Sequence, residues 1–566
     1  MRTRILVVSL LLLGSSERYA FSQSIPNEQK AAPIPSHFVV VPLSPASSGG
    51  VPTALTPEQL AKLIFPREKE IQAEILRSEP IVETYIQRTK QDETLGLATT
   101  HDFYFLGQAD FGKRIRLLPI VQHPKSGNLL WSFESRGFLF MAFPDLGGFS
   151  QANYQLVYRG REFLGEIRCY VFDVIPKRNR GRHFLGRIYV EDQEFTIVRF
   201  NGIYAPEHAL SPTLIESHWF HFDSWRTNVR PGLWMPSYVF CQEISKEKDF
   251  ILPEFKAQTR FWGYGHNVNS QQEEFSRMLL ETDSVADESA RKDNSPIEAQ
   301  RAFNHEAEEN VLELLERDSL VAPPGPVEKI LDTIVNNIVV TNNLELPMGL
   351  HCRVMLTANL DLFSIENTIV ITRGLLDVVP DEATLAALLS QEVADALLSK
   401  PYQSRYAFSD QTRIDITDIM RKLSFRDTKE EAAAIQAKSF ELLQKSPYVG
   451  KLATAGLFLE ELNRQAKVLS QLISPHIGNR IWLADQIRTS APKLEPANKT
   501  QLAALPIGAR IRMDAWTNQI VFMKTANVAL ISAGEKLPLE IAPFRPYLTR
   551  FQQTAAVANT SPNSNQ

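Results

Sequence analysis

The residues best spaced for chemistry are Gln391-Glu392-Val393-Ala394-Asp395. They have the H-E-x-x-H spacing, in which two imidazoles four residues apart project from one helix face onto zinc and the glutamate activates a water. Here a glutamine and an aspartate stand at the two imidazole positions, and only Glu392 matches. Gln391 offers a neutral amide oxygen, a weak zinc ligand. Asp395 could ligate, but its side chain is shorter than histidine's. Losing both imidazoles should remove most of the about 10–16 kcal/mol of apparent binding free energy that structural zinc sites supply. None of the 11 histidines lies between Gln391 and Tyr448, which leaves His351 and His476 to approach through space. An all-oxygen set of Gln391, Asp395 and Glu431 would instead suit a hard ion such as Mg²⁺, Ca²⁺ or Mn²⁺. The plainer expectation is a former site: Glu392 a vestigial general base, and Gln391, Asp395 and Glu431 vestigial metal positions that bind nothing.

The element that must carry these residues is Leu385–Leu398, where Leu385, Leu388, Leu389, Val393 and Leu397 recur at helical spacing. Asp381 and Glu382, just after Pro380, supply a cap and a negative first turn. Upstream runs Asn367-Thr-Ile-Val-Ile-Thr-Arg-Gly-Leu-Leu-Asp377. Downstream are Ser439-Phe-Glu-Leu-Leu-Gln-Lys-Ser-Pro-Tyr448 and Ser474-Pro-His-Ile-Gly-Asn-Arg-Ile481. Together these resemble the strand, helix lead-in, third-ligand helix and late His-Pro…Arg-Ile segment of the HtpX-type gluzincin metallopeptidases, the forty-eighth metallopeptidase family, over roughly residues 326–490. The resemblance implies a zincin-like fold and, in a working member, zinc and endopeptidase activity. That family's third-ligand motif, Glu-x-Glu-Ala-Asp, falls here on Lys429 or on Ala432 depending on the alignment. Glu430 or Glu431 serves only if the helix slips. All three ligand positions are therefore altered or open.

No rival nucleophile stands out. There is no G-x-S-x-G elbow, phosphate-cradling glycine loop or dinucleotide fingerprint. Ser390 has no base placed beside it in sequence and reads as a helix residue.

The chain opens with basic Met1-Arg-Thr-Arg4, apolar Ile5–Leu13 and the small-x-small site Ala20-Phe-Ser22. This reads as a secretory signal peptide over 1–22, since the apolar run is too short to span a bilayer. The alternative is an uncleaved anchor. Export to the periplasm or beyond follows, with no transmembrane span in the mature chain. A net charge of −5 over 566 residues carries no basic excess, so nucleic acid is not an expected partner. The length suggests two to four domains. Cys169, Cys241 and Cys352 do not make a disulfide framework. Cys169 and Cys241 could pair across a sheet, but buried free thiols are the simpler reading.

Residues 23–56 are rich in Pro, Ser and Ala and read as a linker. From Pro57 the pattern looks helical, as in Glu68–Leu76 and Ile81–Ile86. A β-rich region follows to about residue 265, with strands expected at Phe103–Gln108, Gly137–Phe143, Gln155–Tyr158, Cys169–Val174, Gly186–Val190, Phe195–Phe200, Ser217–Phe222 and Tyr238–Glu243. Tyr170–Lys177, Phe184–Glu191, Ile197–Phe200 and Gly232-Leu-Trp-Met-Pro236 resemble the LolA-type lipoprotein carriers, over roughly 57–265. That family is an unclosed antiparallel barrel over helices, with an apolar cavity for acyl chains. The aromatics Trp219, Phe220, Phe222, Trp225, Trp234, Phe261 and Trp262 read as core, or as the lining of such a cavity. His218 and His221, three apart on a strand, point to opposite faces and cannot chelate one ion together. Arg178, Arg180 and Arg182 read as a solvated hairpin tip.

Residues 266–325 read as a connector, polar at Gln271–Asn294 and then helical at Ala299–Ser319. In the metallopeptidase-like stretch, 326–500, a helix is expected at Val327–Val339, strands at Leu350–Leu356 and Ile369–Thr372, and an amphipathic piece at Ile414–Leu423. A C-terminal β element, 501–551, should pair Leu505–Asp514 with Gln519–Met523 and close with Phe544–Phe551. Residues 552–566 read as disordered.

The whole is an α+β multidomain chain: an antiparallel β-rich, LolA-like open barrel over helices, a mainly helical zincin-like domain, and a small C-terminal β-hairpin element. The function expected is binding, by a pseudopeptidase that holds unfolded or lipidated envelope polypeptides without cutting them and needs no cofactor. The alternatives are an active zinc metalloendopeptidase, and a lipid or lipoprotein carrier acting through the first domain. Oligomeric state is not legible.

Overall fold

The structure is a computed structural model. It describes residues 55–92, 96–111, 115–120, 135–177, 183–204, 220–243, 255–264, 309–344, 349–365, 367–398, 429–473 and 485–493, and shorter stretches from there to Phe551. All belong to one compact unit, Leu55–Gln566. The expected signal peptide and linker, the polar connector, Trp219, His218, the arginines at 178–182, Ile414–Leu423, Ser474–Ile481 and the tail lie outside the described residues.

Helix α1, Pro57–Arg77, opens on a capping box in which Thr56 and Gln59 satisfy each other's backbone N–H, with proline at its first position. Leu60, Ile64, Ile71 and Ile75 form its buried stripe, and Glu68 sits in the middle of that stripe. The strands follow: β1 Ile81–Asp92, β2 Gly96–Asp110, β3 Arg116–Pro119, β4 Tyr154–Leu164, β5 Ile167–Pro176, β6 Phe184–Glu191, β7 Ile197–Tyr204, β8 Phe220–Arg230, β9 Leu233–Glu243 and β10 Phe255–Trp262. They make one antiparallel sheet in the order β3-β2-β1-β10-β9-β8-β7-β6-β5-β4. Helix α1 touches both β9 and β4, five places apart in that order, so the sheet curls around it.

Two expectations fail here. Ile81–Ile86 is strand rather than helix. Val82 and Ile86 face α1 while Ile81 and Tyr85 face the other way, so both faces of β1 are partly apolar and the alternation is blurred. Gly137–Phe143 is not a strand. Ser135–Phe140 is a short helix, α2, followed by turns, and Phe138, Leu139, Ala142 and Phe143 pack under the sheet. A short apolar run carries too little periodicity to separate these outcomes. Strand β10 was not anticipated.

The inner face, against α1 and α2, is packed with aromatic rings. Phe184, Phe200 and Phe222 meet ring to ring with centroids 5.8–6.0 Å apart, and Phe65 meets Phe149 at 5.2 Å. Phe222 and Phe261 lie on this face, whereas Trp225 and Trp234 lie on the opposite one.

Much of the outer face is covered too, although β4 and the end of β5 keep exposed residues such as Arg159 and Ile175. A helical stretch, 309–317, leads to helix α3, Pro326–Thr341, and a three-stranded mixed sheet in the order β11-β13-β12, made of β11 His351–Met355, β12 Leu362–Ile365 and β13 Thr368–Thr372. Helices α4 Arg373–Val378, α5 Glu382–Leu398, α6 Lys429–Gln444, α7 Leu452–Gln465, α8 Ser470–Ile473 and α9 Asp485–Thr489 complete this region. Its apolar side chains are continuous with those of the outer sheet face, including Tyr85, Tyr104 and Trp225. Polar contacts fix the junction. The Asp102 carboxylate on β2 accepts the backbone N–H groups of Gln471 (2.9 Å) and Leu472 (2.8 Å), and Glu83 accepts from Tyr104 (2.7 Å) and from the Ala358 N–H (2.6 Å).

Strands β14 Ile511–Met513 and β15 Ile520–Phe522 pair as the hairpin signal implied. The segment that was to close that element does not. Residues 545–551, with Leu539 and Ile541 before them, lie against outer-face and turn residues of the large sheet and belong to no strand. Among the described residues no helix is long and apolar enough to cross a membrane.

Candidate functional site

Helix α5 starts as its sequence requires. Asp381 Oδ1 accepts the Thr384 N–H at 2.7 Å, and Glu382 accepts the Tyr448 hydroxyl at 2.9 Å. Ala386, Ala387, Leu388, Leu389, Val393 and Ala394 have no exposed surface, so the helix is clamped on its apolar side. Helix α6 packs beside it through a buried hydroxyl pair: Ser390 Oγ lies 2.7 Å from Ser439 Oγ, and Ser390 also donates to Ala387 O. Ser390 is thus a packing residue.

The sequence-derived site residues separate in character. Glu392 is buried and accepts the Ser364 hydroxyl of β12 at 2.6 Å. Gln391 is half-buried, and its amide Nε2 is buried without a hydrogen-bond partner. Asp395 is half-buried, one turn on. Glu431 lies exposed in the first turn of α6, next to exposed Glu430. Among the described residues no three His, Cys, Asp or Glu side chains gather where they could hold a metal ion. His351 is exposed at the start of β11, and His476 lies outside the described residues.

These donors do not fit zinc. Zinc sites draw on imidazoles, thiolates and carboxylates, and here both imidazole positions are replaced, one of them by an amide whose N–H cannot ligate a cation. The carboxylate at the general-base position accepts a serine hydroxyl at one of its oxygens. The arrangement can donate and accept hydrogen bonds.

The β-rich region was expected to hold a cavity or a packed core. Its inner face is filled at the described residues by the rings named above. At its centre Arg226 of β8 donates from both terminal nitrogens to both carboxylate oxygens of Glu68, each at 2.7 Å. A cleft of about 670 Å³ does open beside α1, lined by Arg67, Glu70, Glu74, Glu194 and Arg230 together with Ile71 and Leu233. Five charged groups make it unlike an acyl-chain site. His221 lies in β8 as read. All three cysteines are free and buried, and Cys169 and Cys241 belong to opposite faces of the sheet.

One set of residues had no sequence signal. On the outer sheet face Gln87, Glu162, Gly165 and Asn228 all engage the extended segment 539–551. Their partners lie hundreds of residues away, and only Gly165, in a two-residue hairpin turn between β4 and β5, is recognisable locally.

No protein-family model matches this sequence, and no curated protein matches it. Among solved structures it is similar to a DUF1329 family protein from Desulfovibrio piger, 11% identical with a TM-score of 0.20, over 38% of this chain and 98% of that one. It is also similar to a domain described as an outer membrane lipoprotein-sorting protein from Vibrio parahaemolyticus, 8% identical with a TM-score of 0.19, over 39% of this chain and 99% of that one.

Proposed function

We propose that this chain is an exported, non-catalytic binding protein that holds envelope polypeptides, lipoproteins among them, on a metallopeptidase-like framework without cutting them. The observation that supports it most is the Ser364–Glu392 hydrogen bond of 2.6 Å, beside a glutamine and an aspartate at the two imidazole positions. Glu392 accepts a neighbouring hydroxyl within the helix–strand contact, and a general base of this kind acts on a zinc-bound water, whose metal has lost both imidazole ligands here.

The test is a retention assay. The purified chain is mixed with a permanently unfolded polypeptide and with a lipidated peptide, and both complex formation and cleavage are read. Retention without cleavage, and no stoichiometric zinc by metal analysis, is the expected result. One zinc per chain, with proteolysis lost on Glu392→Gln, would establish the metalloendopeptidase in its place.

A further inference from the structure

The described residues between Leu539 and Phe551 lie against the large sheet, and four of their backbone groups are hydrogen-bonded to it. The Gln87 amide donates from Nε2 to Leu539 O at 2.9 Å and accepts the Ile541 N–H at 2.7 Å, the paired bonds a neighbouring strand would make. Further along, the Glu166 N–H donates to Leu548 O at 2.9 Å, and Asn228 Oδ1 accepts the Phe551 N–H at 2.8 Å. At Gly165 (φ +67°) the chain passes so close that an added Cβ would lie 2.5 Å from the Leu548 backbone. Among the described residues of the segment only Leu539, Ile541 and Leu548 are buried, while Tyr547 is 71% exposed. Arg545 pairs with Glu162 at 2.8 Å, and Arg550 with Glu191 at 3.0 Å.

A surface that reads four backbone groups, three small apolar footholds and two positive charges recognises an extended chain more than a particular sequence. We infer that this track is a docking surface for an extended, basic, apolar-spaced segment of a partner polypeptide, and that residues 539–551 occupy it as an intramolecular stand-in. The inference rests on the binding reading above only for the nature of the partner. In cis the segment is present at an effective concentration of roughly millimolar order, so a partner must compete with it.

The experiment uses the full chain and a fluorescent peptide of residues 537–551, followed by anisotropy. Leu548→Asp puts a charge into the buried foothold and should loosen the cis segment. The peptide is then expected to bind this variant at least about tenfold more tightly than the parent chain. Adding Gln87→Leu to that background should weaken the peptide by about tenfold, since both amide bonds are lost. If Leu548→Asp does not fold, Arg545→Glu with Arg550→Glu, both at partly exposed positions, makes the same comparison. A folded, cooperatively unfolding variant that binds the peptide no better than the parent overturns the inference, as does binding indifferent to Gln87→Leu. The two readings fail separately: unfolded polypeptide retained by a chain that ignores the peptide removes the track alone, and peptide binding without such retention removes the holding function alone.

Discussion

Arg226 and Glu68 form a two-pronged ion pair, both contacts 2.7 Å, with neither side chain reaching solvent. The pair sits where the apolar stripe of α1 meets the inner sheet face, and it sets the register of helix on sheet. Removing one partner leaves the other charge buried and unpaired. Glu68→Ala is therefore expected to cost about 3–5 kcal/mol, whereas Glu68→Leu with Arg226→Met should be neutral or stabilising. Urea unfolding of the three proteins checks this. A single variant as stable as the parent would show that α1 is not seated as described.

Asp102 ties β2 to the N-terminus of α8. Burial pushes its carboxyl above the ordinary 3.8, working against the backbone N–H groups of Gln471 and Leu472 that favour the anion. A raised folded-state value means that the native chain holds this proton more tightly than the unfolded chain does. The stability due to Asp102 is then fully present below 3.8 and falls as pH rises through the raised value. The stability difference between the parent and Asp102→Asn should shrink or reverse from about pH 4 to about pH 7. Urea midpoints across that range measure it, and a difference that grows with pH would contradict the assignment.

Glu392 is an acceptor for Ser364, a role that a glutamine carbonyl can also fill. Glu392→Gln should stay within about 1 kcal/mol of the parent, and Glu392→Ala should lose about 1–2 kcal/mol. Gln391→His with Asp395→His puts two imidazoles back at i, i+4 on α5. Zinc affinity should then rise, weakly, because Glu431 lies exposed on α6 and the third ligand is not in place. Isothermal titration with zinc decides it, and an unchanged affinity would mean that the α5 face is closed to metal.

The three thiols are buried, and burial pushes those of Cys169 and Cys352 well above the ordinary range. The native chain should be inert to a thiol-reactive chromophore, and all three cysteines should react after unfolding. Rapid labelling of the native protein would refute the placement of β5 and β11.

How much was readable depended on range. Helix α5 was legible because its cap, its apolar spacing and its polar residues all lie within some eighteen residues of one another. Most inner-sheet strands were legible from alternation and turns. Ile81–Ile86 was misread because a strand covered on both faces loses its alternation. The close of the C-terminal element was misread because residues 545–551 have the composition of a strand but are held by side chains and a turn of the large sheet. The site was half legible. Gln391, Glu392 and Asp395 could be placed on one helix, but Ser364 lies 28 residues from Glu392, and Ser439 lies 49 from Ser390. No local pattern joins such pairs. The fit of Gln87 to Leu539, 452 residues apart, is beyond any window.

That last separation has a consequence for how the molecule is made. Gln87 of strand β1 is synthesised 452 residues ahead of Leu539, the residue it binds on its outer surface. Tyr85 and Trp225 must wait with an apolar surface bare while several hundred further residues are produced. Contacts this distant in sequence slow folding and prolong exposure to aggregation. The nascent sheet is itself, for that interval, the kind of unfinished polypeptide that needs a holder.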